Sequence, residues 1–113
     1  MKFSAQLLFP FFFTLAPSAS AASPGDLQAQ IGHHVIYSYP GLEPPAHLLD
    51  LIAEGKVGGV IIFGENVSDN LTTTIDNLQN TYKQSPYYSD SALFIMTDQE
   101  GGKVRRLPGG PVE

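Results

Sequence analysis

Between Ile31 and Thr97, short runs of apolar, β-prone residues alternate with segments whose apolar positions recur every three or four residues. Val35, Ile36, Tyr37 and Tyr39 suit a strand, and Pro40-Gly41 suits a turn that ends it. Pro44 and Pro45 suit a first helical turn, where proline's fixed φ is compatible with the helix and its missing N–H leaves no bond unmade. Leu48, Leu49 and Ile52 then fall on one helical face, and Gly55 stops the helix. The unbroken run Val60-Ile61-Ile62-Phe63 predicts a strand buried on both faces, the kind found in parallel sheets covered by helices. Leu71, Ile75, Leu78 and Tyr82 make one apolar stripe on a second helix, which Ser68 or Asp69 can cap and Ser85-Pro86 closes. Leu93-Phe94-Ile95-Met96 predicts another buried strand, whereas residues 22–30, small and polar, predict a loose N-terminal stretch.

Strand, helix, strand, helix, strand is the repeating unit of an α/β protein with a parallel sheet. In such folds the loops at the carboxyl ends of the strands carry the chemistry. Two polar clusters take that position: Glu65-Asn66 after the second strand and Asp98-Gln99-Glu100 after the third. Gly101 and Gly102 follow the second cluster and let the backbone turn there without a Cβ penalty.

Composition narrows the function classes. The chain has 113 residues, no cysteine and a net charge of -5, which suits an acidic globular protein of at most one domain. Lys103, Arg105 and Arg106 form the local basic cluster, beside two acids, and this is no footprint for nucleic acid. Lys2, the apolar Leu7 to Leu15 and Ala19-Ser20-Ala21 have the order of a secretory signal peptide over residues 1–21, leaving a mature chain from residue 22. Pro10 interrupts that apolar run, which is well short of the roughly 20 residues of a membrane-spanning helix, so a membrane anchor is not expected. Two sequons, Asn66-Val67-Ser68 and Asn70-Leu71-Thr72, offer N-glycan acceptors on a secreted protein.

The sequence carries no cofactor or metal signature. Adjacent residues on a strand point to opposite faces, so His33-His34 cannot readily chelate one ion, and no third ligand has suitable spacing. Gly102-Lys103 is followed by Val104 where a phosphate-binding loop needs Ser or Thr, and neither G-x-G-x-x-G nor G-x-S-x-G occurs.

Asp98 is the residue that draws attention. It stands one residue past an apolar run, on a stiff support, where an ionised carboxylate can accept hydrogen bonds from two sugar hydroxyls at once. A turn acid satisfied by nearby backbone N–H groups is the competing reading. Glu100 suits a general acid or base, but Arg105 and Arg106 are close enough in sequence to make an ion pair the favoured reading.

The stretches GGVIIFGENV and LFIMTDQEGGKVRRLPGGP together resemble glycoside hydrolase family 3, in its β-N-acetylhexosaminidase-like branch. The resemblance covers roughly Ile31 to the end and is carried by the D-Q-E-G-G core followed by V-x-R. It implies a substrate-binding role for Asp98, and for Arg106, which closes the V-x-R element and is also within reach of Glu100. His33 stands where relatives often have Gln. The family's fold is a TIM-type (β/α) barrel of about 250 residues, so residues 22–113 are expected to be the N-terminal portion of such a barrel, incomplete in this chain. The family's later segments, with the acid/base and the nucleophilic Asp, have no counterpart here, so no catalytic residue is assigned. The expectation is a fragment of a secreted retaining glycosidase acting on β-linked sugars, N-acetylglucosaminides first among them. The alternatives are a non-catalytic secreted carbohydrate-binding protein and a fragment with no activity that does not fold alone.

Overall fold

The computed structural model describes residues 23–88 and 90–109, and the segment read as a signal peptide lies outside them. The stretch expected to be loose holds a helix instead, α1, Pro24–Gly32. Ser23 caps it: the Ser23 hydroxyl accepts the Asp26 N–H at 3.2 Å, and the Asp26 carboxylate accepts the Ser23 N–H at 3.0 Å. Hydrogen bonds from the Ser23 hydroxyl and backbone hold the Asp26 carboxyl below its ordinary value of 3.8. This reciprocal box, with Pro24 in the first turn, is a start signal that the polar composition of the segment hides.

A three-stranded parallel sheet follows, in chain order: β1, Ile36–Tyr37; β2, Gly59–Ile62; β3, Phe94–Thr97. Helix α2, Ala46–Ala53, crosses from β1 to β2, and α3, Leu71–Lys83, from β2 to β3. The α3 start differs from expectation, because Asn70 takes the cap position without a side-chain bond while the Ser68 hydroxyl accepts the Asn70 N–H. His33 is the C-cap of α1 rather than a strand residue. Its carbonyl lies where a Cβ on Gly58 would come within 2.0 Å, so only glycine lets α1 run this close to the start of β2.

Both helices pack on one face of the sheet. Leu48 and Ile52 from α2 and Leu78 and Tyr82 from α3 meet Val60 and Ile62 in one buried cluster, joined by Tyr39, Val57 and Leu93. Gln79 of α3 fastens the start of β3, donating to the Leu93 carbonyl at 2.9 Å and accepting the Leu93 N–H at 3.0 Å.

The other face is where the expectation of fully buried strands fails. Period-two alternation sends Tyr37, Val60 and Ile95, one row of the register, toward the helices. The next row, Ile36, Gly59 and Phe94, points away, and Phe94 is 70% exposed, Ile36 43% and Met96 36%. No element among the described residues covers that face. After β3 the chain turns into a small antiparallel hairpin, β4, Gln99–Gly101, and β5, Val104–Arg105. Among the described residues no helix is long and apolar enough to cross a membrane.

Candidate functional site

The candidate site is built where the parallel sheet ends. Ile62 and Thr97 are the last register pair of β2 and β3, and the Thr97 hydroxyl ties them by donating to the Ile62 carbonyl at 2.7 Å. Asp98 is the first residue past that pair on one strand, and Phe63 the first past it on the other. Asp98 is half-buried and, among the described residues, has no hydrogen-bond or ion-pair partner. The turn-acid reading, which needs backbone N–H donors to the carboxylate, therefore has no support in the geometry.

Arg106 reaches the same edge by way of the hairpin. Gly101 and Gly102, at φ +87° and +53°, supply the left-handed turn that reverses the chain, and the register shift between Gln99 and Gly101 bends it. Its guanidinium then lies over the Phe63 ring, 5.9 Å from the centroid, a cation–π contact at the end of β2. The Arg106 Nε is buried and, among the described residues, has no hydrogen-bond partner.

Gln99 holds this arrangement, a role that sequence reasoning missed. Its Oε1 accepts the N–H groups of Arg106 at 2.9 Å and Leu107 at 3.1 Å, and its Nε2 donates to the Leu107 carbonyl at 3.1 Å. The amide side chain acts as a third strand partner for residues 106 and 107. Gln99→Leu removes all three bonds, each worth about 1 kcal/mol. The expected result is amide exchange at Arg106 and Leu107 at least about tenfold faster, since 1.4 kcal/mol is a factor of ten, with Val60 and Leu78 unchanged. Equal protection in variant and wild type would remove this role.

Glu100 does not pair as expected. It is exposed in β4, and among the described residues the ion pair that forms is Lys56 with Glu54.

The cluster after β2 divides by environment. Glu65 is exposed in the 3-10 turn Gly64–Asn66. Asn66 is 1% exposed and serves the backbone: its Oδ1 accepts the Phe63 N–H at 2.8 Å, and its Nδ2 donates to the carbonyls of Tyr39 at 2.9 Å and Gly41 at 2.6 Å. Both N–H groups of the Asn66 amide are thus committed inside the fold. Beside it the Tyr39 hydroxyl is buried without a partner, and burial, then the Glu43 carboxylate, raises the phenol above its ordinary value of 10.0.

Comparison with known proteins finds glycosyl hydrolase and hexosaminidase relatives. No family model matches the chain. An "Uncharacterized secreted glycosyl hydrolase" of Arthroderma benhamiae is 55% identical over 103 residues, 91% of this chain and 29% of that protein. Beta-hexosaminidase A of Pseudoalteromonas piscicida is 42% identical over 65 residues, 56% of this chain and 10% of that protein. Among solved structures, a fungal multi-domain GH3 beta-N-acetylglucosaminidase superposes with a TM-score of 0.63 and 31% identity over 70% of this chain and 9% of its own. The chain resembles glycoside hydrolase family 3. The chain spans less than a third of each of these relatives' own lengths. NagZ from Neisseria gonorrhoeae, solved with N-trifluoroacetyl-D-glucosamine, shares the fold at a TM-score of 0.53 and 22% identity, over 66% of this chain and 21% of that one. The described α/β unit is thus like part of a family 3 enzyme.

Proposed function

We propose that residues 22–113 are the N-terminal portion of a secreted family 3 glycosidase acting on β-linked N-acetylglucosaminides, and that they contribute substrate-binding groups rather than catalytic ones. The observation that carries this reading is the Arg106 Nε, buried at the sheet edge beside which Asp98 stands, both without a partner among the described residues. A buried donor without an acceptor costs about 1–3 kcal/mol, which a ligand oxygen would relieve. Asp98 accepts from sugar hydroxyls and Arg106 donates to a sugar oxygen, both as charge-assisted bonds. A TIM-type barrel accommodates this unit, because the strands are ordered β1-β2-β3 and both crossover helices lie on one face. A doubly wound sheet would place helices on both. The name of the Arthroderma benhamiae relative and the signal-like residues 1–21 support secretion.

Saturation-transfer NMR with N-acetylglucosamine tests the site. The wild-type chain is expected to give a transfer signal that Asp98→Ala and Arg106→Gln each weaken by about tenfold or more in Kd, the value of one charge-assisted bond. A signal equal in all three proteins would sink the assignment.

Chemistry is a separate expectation. A retaining mechanism needs a nucleophile and an acid/base, and this chain is expected to give no turnover of an aryl N-acetylglucosaminide. Turnover above background that disappears in Asp98→Ala would overturn it.

A further inference from the structure

The two sequons stand four residues apart, yet the fold treats their asparagines in opposite ways. Asn66 is buried and its Nδ2 donates to two backbone carbonyls, so a sugar on that nitrogen would remove at least one of those bonds and force the loops after β1 and β2 apart. Asn70 is exposed, and its side chain makes no cap bond to α3. Thr72, which completes its sequon, is exposed too.

The surface beside Asn70 has a second property. Asn70, Thr73, Asn77 and Asn80 recur at helical spacing along α3 and, with Glu43, line an open groove of about 580 Å³. Hydroxyls and amides dominate it, groups that can both donate and accept toward the hydroxyls and acetamide of a sugar. Neither Asp98 nor Arg106 is among the residues that line it.

We propose that Asn70 is the N-glycosylation site of this protein, that its first N-acetylglucosamine rests along the Thr73-Asn77-Asn80 face, and that Asn66 is a silent sequon because its amide is a structural latch. The inference rests on the secretory reading of residues 1–21. The donor is a polyprenyl diphosphate-linked oligosaccharide. The bond from Nδ2 of Asn70 to sugar C1 forms and the C1–O bond to diphosphate breaks. The diphosphate leaves with the electron pair, and one amide proton passes to a base of the transferase. A chain glycosylated at Asn66 cannot close its latch and is not recovered folded.

The test is to produce the full chain in a secreting fungal host, recover the soluble protein, and release N-glycans enzymatically in heavy-oxygen water, which converts each used Asn to a labelled Asp. Mass spectrometry is expected to find the label at residue 70 in the majority of molecules and at residue 66 at background. Thr72→Ala and Asn70→Gln should each abolish labelling, and Ser68→Ala should leave it unchanged. Label at residue 66 of folded protein, or an unlabelled residue 70 in chains that have lost residues 1–21, would overturn the proposal while leaving secretion intact. Recovery only of chains that keep Met1 would overturn the secretory reading and this one with it.

Discussion

Purified alone, the chain is expected to associate as its concentration rises, eluting from gel filtration ahead of a monomer and melting without a sharp cooperative transition. The cause is the sheet face opposite the helices, where Phe94, Ile36 and Met96 are 70%, 43% and 36% exposed in adjoining rows of the register. Fully burying one such side chain contributes about 1.5–3 kcal/mol, so the exposed fractions of the three contribute roughly 2–4.5 kcal/mol together, comparable with the lower end of the association cost, about 4 kcal/mol. That balance predicts weak, concentration-dependent association rather than a tight dimer. The outer edges of β1 and β3, unpaired among the described residues, add backbone groups that another chain can extend. Phe94→Glu places a charge at the centre of the patch on a chain already at -5. It should move the elution position to that of a monomer at concentrations where the wild type associates. A monodisperse wild-type monomer with a sharp cooperative melt would refute the argument and favour a small self-contained binder.

The sequence made the alternation of strands and helices legible because each element has a strong period. The α3 stripe put Leu78 and Tyr82 in the core, with Leu71 packed against them and Ile75 half-buried. Periodicity could not tell a strand covered on both faces from one covered on a single face. Leu93 to Met96 is apolar throughout, yet Ile95 packs on the helix side while Phe94 and Met96 face away. Helix α1 was missed because its signal is a reciprocal pair of hydrogen bonds between Ser23 and Asp26 and not an apolar stripe. At the site, the position of Asp98 followed from strand logic. The roles of Gln99 and Asn66 did not, because an amide that satisfies backbone groups distant in sequence leaves no local pattern. The one local hint was an Asn three residues after the end-of-strand Phe63, whose N–H it accepts as the return bond of a capping box.

Asn66→Ala is expected to be among the most destabilising single substitutions in the chain. The side chain bridges three backbone groups: the Phe63 N–H at the end of β2, and the Tyr39 and Gly41 carbonyls in the loop after β1. Two of the three bonds span more than 20 residues of sequence, so the latch sets how the loops at the carboxyl edge of the sheet meet. Removing it leaves these groups without partners at a site where Asn66 itself is 1% exposed and water does not easily replace it. At the low end of about 1 kcal/mol for each unsatisfied group, the loss is about 3 kcal/mol, a large share of a typical net stability of about 5–15 kcal/mol. Asn66→Asp keeps an acceptor for Phe63 but turns carboxylate oxygen toward two carbonyls, so it should be no milder. Urea unfolding in the Phe94→Glu background, where association is suppressed, makes the comparison a two-state one. Both variants should lower the midpoint, and the chemical shifts of Tyr39 and Gly41 should move further than those of Leu48 or Val57. An unfolding free energy for Asn66→Ala within about 1 kcal/mol of that of the background protein would mean that the latch is not what joins these loops, and it would remove the steric reason for silence at the first sequon.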